Sequence, residues 1–215
     1  MAMQGDVARP SRTQAERRSK SEQALLDAAA ALIAERGVEH ASLARIGELA
    51  GVSRGLPSHH FGSKDVLVAR LAQQSQDRVV DATLHALERA HQSAQNLSAL
   101  DLLRATLSAY LELFEKPTAE DRALIVMWGA TFPSQASIEG MLEAEQRSYD
   151  GWADLIRRGQ REGSIRADLD STASAVVLFG LMRGVAALLL TESEIKDMGH
   201  VRATCDAWIV AALAP

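Results

Sequence analysis

The sequence GVSRGLPSHHFGSK at residues 51–64 has the pattern of the turn and second helix of a helix-turn-helix, followed directly by another helix start. A short helix precedes it, because Ser42 can cap its N-terminus and apolar side chains recur at helical spacing over residues 43–50. Gly51 can end that helix, since glycine accepts the left-handed conformation that helix ends commonly require. The turn spans about three to four residues, and we expect Ser53 to cap the second helix. The stretch therefore predicts a DNA-binding motif.

A proline lies inside the second helix of this motif. Proline lacks a backbone N–H and clashes with the carbonyl four residues earlier, so its cost is smallest near a helix end. If Ser53 is the cap, Pro57 lies near that end, and the helix begins loosely or with a tight first turn. We expect Leu56 and Pro57 to contact thymine methyl groups or sugars; the alternative is that Pro57 occupies a solvated position.

The features on both sides of the motif follow a fixed order between about residues 18 and 67. An amphipathic helix closes at Gly37, a hydroxyl residue and a short helix follow, and the turn leads through a His-Phe ending to Ser-Lys at the start of a long helix. This order resembles the DNA-binding domain of the TetR family of one-component transcriptional regulators. The positions that match the family pattern are Ser42, Ile46, Ala50, Gly51, Val52, Ser53, Gly55, His60, Phe61, Ser63, Lys64 and Leu67.

Two positions depart from that pattern. Ser58 stands where most members of the family have a phosphate-binding tyrosine, and Pro57 stands where an aliphatic residue is usual. The Ser-His-aromatic-Phe variant that results is similar to that of the choline-responsive repressors of the family.

The motif and the resemblance together give a set of expected DNA contacts. Arg54 can bond a guanine through two N–H groups, or it can contact a phosphate instead. The family counterpart of Lys64 clamps the DNA backbone, and His60 occupies the family's histidine position. The expected DNA-binding residues are Ser42, Arg45, Ser53, Arg54, Gly55, Leu56, Ser58, His59, His60 and Lys64.

The charge of the chain is divided unevenly along its length. The net charge is -5, but residues 9–64 contain nine Lys and Arg against six Asp and Glu. The basic residues concentrate at the N-terminus, where they can follow phosphates or form only a solvated tail. The acidic remainder argues against nonspecific coating of DNA and suits a separate domain held away from it.

The rest of the chain is a succession of predicted helices, in a composition that is 47% hydrophobic but only 4% aromatic. We expect them at about 63–91, 100–115, 118–131, 138–162, 170–191 and 199–213. The predicted fold class is all-α. We predict a disordered basic leader at 1–17, a three-helix helix-turn-helix domain at 18–66, and a larger helical effector-binding and dimerisation domain at 67–215.

The segment ASAVVLFGLMRGVAALLLT, which ends at Thr191, is unusually apolar. It has nearly the length of a membrane span, but Arg183 lies inside it and no flanking anchors are evident. A helix that is apolar nearly all round must be buried, so we predict a homodimer without membrane contact. The resemblance implies a four-helix bundle made with the last helix, and two-fold symmetry implies a pseudo-palindromic operator. The expected interface residues are Gly180, Gly184, Leu188, Trp208 and Ile209.

The resemblance also implies an effector pocket among the middle helices. Aromatic and methionine side chains, scarce elsewhere, concentrate there, and such a pocket suits a hydrophobic or amphipathic small molecule. Plain core packing is the alternative for each of them. The expected lining residues are Leu107, Tyr110, Phe114, Met127, Trp128, Phe132, Met141, Tyr149, Trp152, Phe179, Met182 and Arg183.

No nucleotide-binding, serine-hydrolase or zinc-protease motif is present in the sequence. Adjacent side chains such as His59 and His60 diverge by about 100° on a helix, which is poor geometry for one metal ion. We therefore expect a cytoplasmic, ligand-responsive repressor that is not an enzyme and has no catalytic residues, cofactor or metal. The alternatives are a DNA-bound structural protein or a protein-regulated factor without a small-molecule effector.

Overall fold

The computed structural model describes residues 13–91, 97–129, 135–191 and 197–215. These ranges are helical and contain no strand, which confirms the all-α prediction. A short 3-10 helix at Val38–His40 follows the first α-helix. The α-helices are α1 (Gln14–Arg36), α2 (Leu43–Leu49), α3 (Leu56–Phe61), α4 (Lys64–His91), α5 (Ala99–Leu113), α6 (Ala119–Gly129), α7 (Gln135–Glu162), α8 (Ser171–Thr191) and α9 (Met198–Leu213).

Helix α1 begins earlier than the predicted start of the first domain at residue 18. Thr13 and Glu16 form a capping box: Glu16 N donates to Thr13 Oγ1 (3.2 Å), and Thr13 N donates to Glu16 Oε2 (2.8 Å). Residues 14–17 are therefore helical, and the prediction that they belong to a disordered leader is wrong. The remainder of that leader, residues 1–12, lies outside the described residues.

The later helices follow the predicted order, with caps that account for their ends. The hydroxyl of Thr118 accepts from Asp121 N (3.2 Å) before α6, and Asp170 Oδ1 accepts from Ala173 N (2.7 Å) before α8. Gly163 follows α7 with a φ of 78°, the left-handed conformation that a glycine stop provides. Helix α9 starts at Met198 because Asp197 caps it.

One continuous apolar core joins the N-terminal helices to the rest of the chain. Helix α1 packs against α6, α4 packs against α5 and α7, and α7 packs against α8. Leu25 and Ile33 of α1 and Leu124 of α6 are each fully buried in this core. Helix α4 begins directly after the helix-turn-helix and continues between the later helices. The packing therefore connects the motif to the C-terminal part through both α4 and α6.

Candidate DNA-binding surface and effector cavity

The second helix of the motif, α3, begins two residues later than a Ser53 cap would place it. Gly55 is its N-cap and makes no side-chain capping bond, whereas Ser53 contributes only its carbonyl, which accepts from Leu56 N (3.0 Å). The prediction that Ser53 caps this helix is wrong. Pro57 consequently falls in the first turn, where the backbone N–H has no partner within the helix and the absence of a donor costs little.

Pro57 packs into the angle between α2 and α3 and is buried. A Cβ atom placed on Gly47 of α2 would lie 3.0 Å from Pro57 Cγ, so the glycine makes room for the proline ring. Pro57 thus fixes the two helices together, and the prediction that it reaches thymine or solvent is wrong. Gly47 was not among the predicted site residues; only its position opposite Pro57 in the fold reveals its role.

The outer face of the motif presents small and polar side chains to solvent. Ser53, Gly55, Ser58 and His59 are all exposed. Arg54 is 81% exposed, and its Nη2 lies 2.9 Å from Glu48 Oε1 on α2. An ion pair this exposed is weak, so the guanidinium can exchange Glu48 for another acceptor at small cost.

The structure directs His60 toward the protein instead of toward this outer face. Its Nε2 lies 3.1 Å from Ser21 Oγ on α1, and the residue is half-buried. Leu56 is half-buried as well. The contact between His60 and Ser21 positions α3 against α1, which differs from the predicted role of His60 as a DNA contact.

The remaining predicted DNA contacts lie at the starts of two helices. Ser42 caps α2 as predicted, since its Oγ accepts from the backbone N of Arg45 (3.3 Å), and the Arg45 side chain is exposed. Lys64 begins α4, and its Nζ donates to the carbonyl of Glu39 (3.4 Å). Leu49 is one of the apolar side chains that recur at helical spacing on α2, but it is 56% exposed.

A cavity of about 480 Å³ lies among α4, α5, α6, α7 and α8. This volume is within the usual range of about 300–1,000 Å³ for small-molecule sites. The side chains around it are mostly apolar. The lining residues are Gln76, Asp77, Val79, Val80, Thr83, Leu84, Leu87, Thr106, Tyr110, Leu124, Trp128, Arg147, Gly151, Trp152, Leu155, Phe179 and Met182.

The cavity brings together some of the predicted pocket residues and leaves others aside. Those that line it are Tyr110, Trp128, Trp152, Phe179 and Met182. Those that do not line it and are buried in the core are Leu107, Phe114 and Met127. Tyr149 stacks edge-on against Phe179 with ring centroids 4.7 Å apart, and the guanidinium of Arg183 lies 4.1 Å from the centroid of the Trp128 ring. Phe132 and the side chain of Met141 lie outside the described residues.

The wall formed by α4 was missing from the predicted pocket. It consists of residues at successive three- and four-residue spacings, which place them on one helical face. These residues are Gln76, Asp77, Val79, Val80, Thr83, Leu84 and Leu87. Their spacing is visible in the sequence, but sequence alone does not distinguish a face that meets a cavity from one that meets a neighbouring helix.

Helices α8 and α9 carry an exposed apolar surface, which we call the α8–α9 strip and define as Val177, Gly180, Gly184, Leu188 and Trp208. Val177 is 70% exposed, Leu188 is 50% exposed and Trp208 is 66% exposed. A Cβ atom on either glycine would meet no heavy atom within 4 Å. Ile209, predicted to belong to the interface, is only 2% exposed and packs in the subunit core, so its assignment is wrong.

Helix α8 is also long and apolar enough to cross a membrane, judged by length and composition alone. Residues Ser171–Leu190 have a mean hydropathy of 2.1, and only 28% of this segment is buried within the subunit. Within the described ranges, no group of three or more His, Cys, Asp and Glu side chains is placed to hold a metal ion.

The comparisons with known proteins agree with this geometry. Residues 25–71 match the family model described as bacterial regulatory proteins of the tetR family. The transcriptional repressor KstR2 of Mycobacterium tuberculosis is 28% identical over 156 residues, which are 68% of this chain and 70% of KstR2. The regulator TtgR of Pseudomonas putida is 28% identical over 193 residues, which are 85% of this chain and 86% of TtgR.

The fold also resembles solved structures over nearly the whole chain. A transcriptional regulator from Saccharomonospora viridis, solved in complex with choline, superposes with a TM-score of 0.74 at 22% sequence identity. The match covers 92% of this chain and 99% of that one. The family model covers the helix-turn-helix, and the relatives and the fold extend the likeness through the remaining helices. The helix-turn-helix therefore carries the match to the tetR family, and the likeness to transcriptional regulators of this kind extends over most of the chain.

Proposed function

We propose that this protein is a homodimeric, ligand-responsive repressor that binds a pseudo-palindromic DNA operator in the cytoplasm. The observation that carries this proposal is the exposed outer face of the motif, on a helix whose other face is fixed to α2 by Pro57. Such a rigid, exposed helix start fits the major groove of DNA. There Arg54 can donate two hydrogen bonds to a guanine, or it can contact a backbone phosphate instead. Ser53, Ser58, His59, Arg45 and Lys64 complete the proposed contact set.

The α8–α9 strip supports a dimer formed by a second copy of this chain. Val177 and Leu188 are exposed on α8, an apolar helix of which only 28% is buried within the subunit. Trp208 is exposed on α9, and both helices pack against α5. An apolar surface of this kind marks an interaction site. The open space around Gly180 and Gly184 allows a helix of the partner to approach the backbone closely. A two-fold axis there would bring α8 and α9 of both subunits into one four-helix bundle.

The cavity is the proposed effector site, and two helices connect it to the DNA-binding surface. Helix α4 forms one wall of the cavity and starts at Lys64. Helix α6 contributes Leu124 and Trp128 to the cavity, and it also packs on α1. The two helices are joined by Arg78 of α4, which pairs with Asp121 and with Glu120 of α6 (3.3 Å to Glu120).

This connection gives the proposed mechanism of induction. The dimer can adopt one conformation in which the spacing of the two α3 helices fits the operator and another in which it does not. A ligand that binds the second conformation more tightly lowers operator affinity. The factor is at most the ratio of the ligand's affinities for the two conformations. The boundary between the proposed DNA-binding domain and the effector and dimerisation domain lies near residue 66, inside the continuous helix α4. A rigid movement of α4 would therefore be transmitted directly to the motif.

Selection of DNA fragments from the source organism's genome with the purified protein tests the proposal. The protein should enrich fragments that share an inverted repeat. Arg54→Ala should lower affinity for the enriched fragment by about 1–3 kcal/mol if the side chain reads a base. Arg122→Ala, which removes an exposed arginine from α6, is the matched control and should leave affinity unchanged. Failure of the wild-type protein to enrich any sequence would refute the proposed function.

A further inference from the structure

Two hydrogen-bond donors are buried in the cavity wall without an acceptor. The hydroxyl of Tyr110, a residue only 5% exposed, and the indole Nε1 of Trp128 have no hydrogen-bond partner among the residues that the structure describes. Burial raises the pKa of Tyr110, and the nearby positive charge of Arg183 offsets only part of that rise. The phenol is therefore a neutral donor at physiological pH. Buried polar groups almost always have partners, so these two donors call for an acceptor supplied from outside the chain.

A resident cation already occupies the aromatic faces beside these donors. The guanidinium carbon of Arg183 lies 4.1 Å from the ring centroid of Trp128 and 4.6 Å from that of Phe179. Rings in this arrangement attract a cation through their negative faces, and here that cation is part of the protein. A quaternary ammonium ligand would compete with Arg183 for the same faces and would be repelled by its charge. Arg183 instead favours negative charge close to Tyr110 and Trp128.

Among the side chains that the structure describes in the cavity lining, the other polar groups do not reverse this preference. Arg147 and Asp77 are both exposed and of opposite charge, and Asp77 accepts from Gln73 Nε2 (2.8 Å). The buried Gln76 has an oxygen without a partner, but its side-chain amide can present either its oxygen or its amino group to a ligand. The opposite wall, on α4, is aliphatic at Val79 and Leu84.

We infer that the cavity binds an amphipathic carboxylate, with its head group at Tyr110, Trp128 and Arg183 and its hydrocarbon part against α4. The inference rests on the proposed effector function and adds the chemical class of the effector. The neutral phenol and the indole donate to the carboxylate oxygens, while Arg183 supplies a positive potential without leaving the aromatic rings. Uncharged or cationic molecules with the same chain lack one or both of these interactions.

Three eight-carbon probes that differ only in the head group test this inference by isothermal titration calorimetry below their micellar concentrations. Octanoate is the carboxylate, methyl octanoate keeps a carbonyl acceptor without the charge, and octyltrimethylammonium carries the opposite charge. We expect octanoate to bind at least about tenfold more tightly than the ester, because hydrogen bonds to charged groups are the stronger ones. Octyltrimethylammonium should bind most weakly. Equal or tighter binding of either other probe, or no binding of any of the three, would overturn the inference.

Two substitutions locate the preference in the named residues. Tyr110→Phe removes only the hydroxyl and should weaken octanoate binding by about tenfold. Arg183→Met should reverse the order of octanoate and octyltrimethylammonium, because it removes the positive charge and uncovers the aromatic faces. Arg122→Met on the exposed side of α6 is the control and should keep the wild-type order. An unchanged order in Arg183→Met, with thermal unfolding like that of the wild type, would contradict the assignment.

Operator binding by the ligand-free protein separates this inference from the proposed function. If the protein binds its selected DNA but prefers the ester or the ammonium probe, only the inferred head group is wrong. If it binds octanoate as expected but no DNA, the proposed function fails while the carboxylate site stands.

Discussion

Replacing Gly184 with leucine distinguishes a buried interface from a free surface. On a free surface the leucine should stabilise the helix, whereas in a buried interface it should weaken dimerisation. In the isolated subunit no heavy atom lies within 4 Å of a Cβ at this position, so a leucine fits without strain. It also gains up to about 1 kcal/mol of helix propensity over glycine. If the α8–α9 strip packs against a second copy, the same side chain overpacks the contact at a cost of about 1–3 kcal/mol.

The symmetry of the dimer doubles this cost. Because each substitution is present in both copies of an isologous interface, dimerisation should weaken by about 2–6 kcal/mol, or roughly 30-fold to 10⁴-fold in the dissociation constant. Sedimentation equilibrium over a concentration series measures this constant directly. Thermal unfolding of dilute, monomeric variant should show no loss of stability within the subunit.

Gly151→Leu is the matched control for this experiment. Gly151 also has no heavy atom within 4 Å of its Cβ position, but it lies on α7 beside the cavity. Its substitution should leave the dimer intact. A wild-type protein that sediments as a monomer at micromolar concentrations would refute the proposed architecture, and an undisturbed Gly184→Leu dimer would place the interface on another face of the helix.

Three further predictions concern DNA binding and stability. Lys64→Ala should weaken binding to all DNA sequences alike and reduce the magnitude of the salt slope by about 1 per half-site; an unchanged slope would contradict a phosphate contact. Gly159→Ala would place a Cβ 2.5 Å from Ile165 Cδ1. Although alanine has the better helix propensity, this overpacking should lower Tm by about 2–4 °C for each kcal/mol that it costs. A higher Tm would contradict this packing. The guanidinium of Arg104 hydrogen-bonds Asp206 (2.7 and 2.8 Å) and holds the pKa of that carboxyl below its usual range. The pair is more than a third exposed, so Asp206→Asn should cost only about 0.2–1 kcal/mol in urea unfolding at pH 7. The stability difference should persist at pH values above the unfolded-state pKa of about 3.9. It should disappear as the pH falls through the lower pKa that Asp206 has in the folded state. A difference that survives at pH 2 would have another origin.

Local signals in the sequence predict much of the fold because caps and stops are chemically specific. The hydroxyl of Ser42 and the glycine at Gly51 define the first helix of the motif, and both act as expected, with a φ of 68° at Gly51. The start of α3 was less predictable, because Ser53 has the right chemistry for a cap. Burial of Pro57 against Gly47 places the proline in the first turn and moves the helix start to Leu56.

The parts of the site that depend on neighbouring helices were not predictable from helical periodicity. On α5, Leu107 and Tyr110 share a face, yet only Tyr110 borders the cavity. On α9 most faces are apolar, so the sequence does not show that Ile209 points into the subunit while Trp208 points out. Spacing places residues on a face, and only the packing of the other helices decides whether that face meets core, cavity or solvent.

Hydroxyl-radical footprinting of the protein on its selected DNA tests the central claim most directly. A symmetric dimer that inserts two α3 helices into successive major grooves should protect two equivalent tracts, related by a two-fold axis and about one helical turn, 34–36 Å, apart or a multiple of it. Arg54→Ala should weaken both tracts equally. A single protected tract without a symmetry mate would contradict the account.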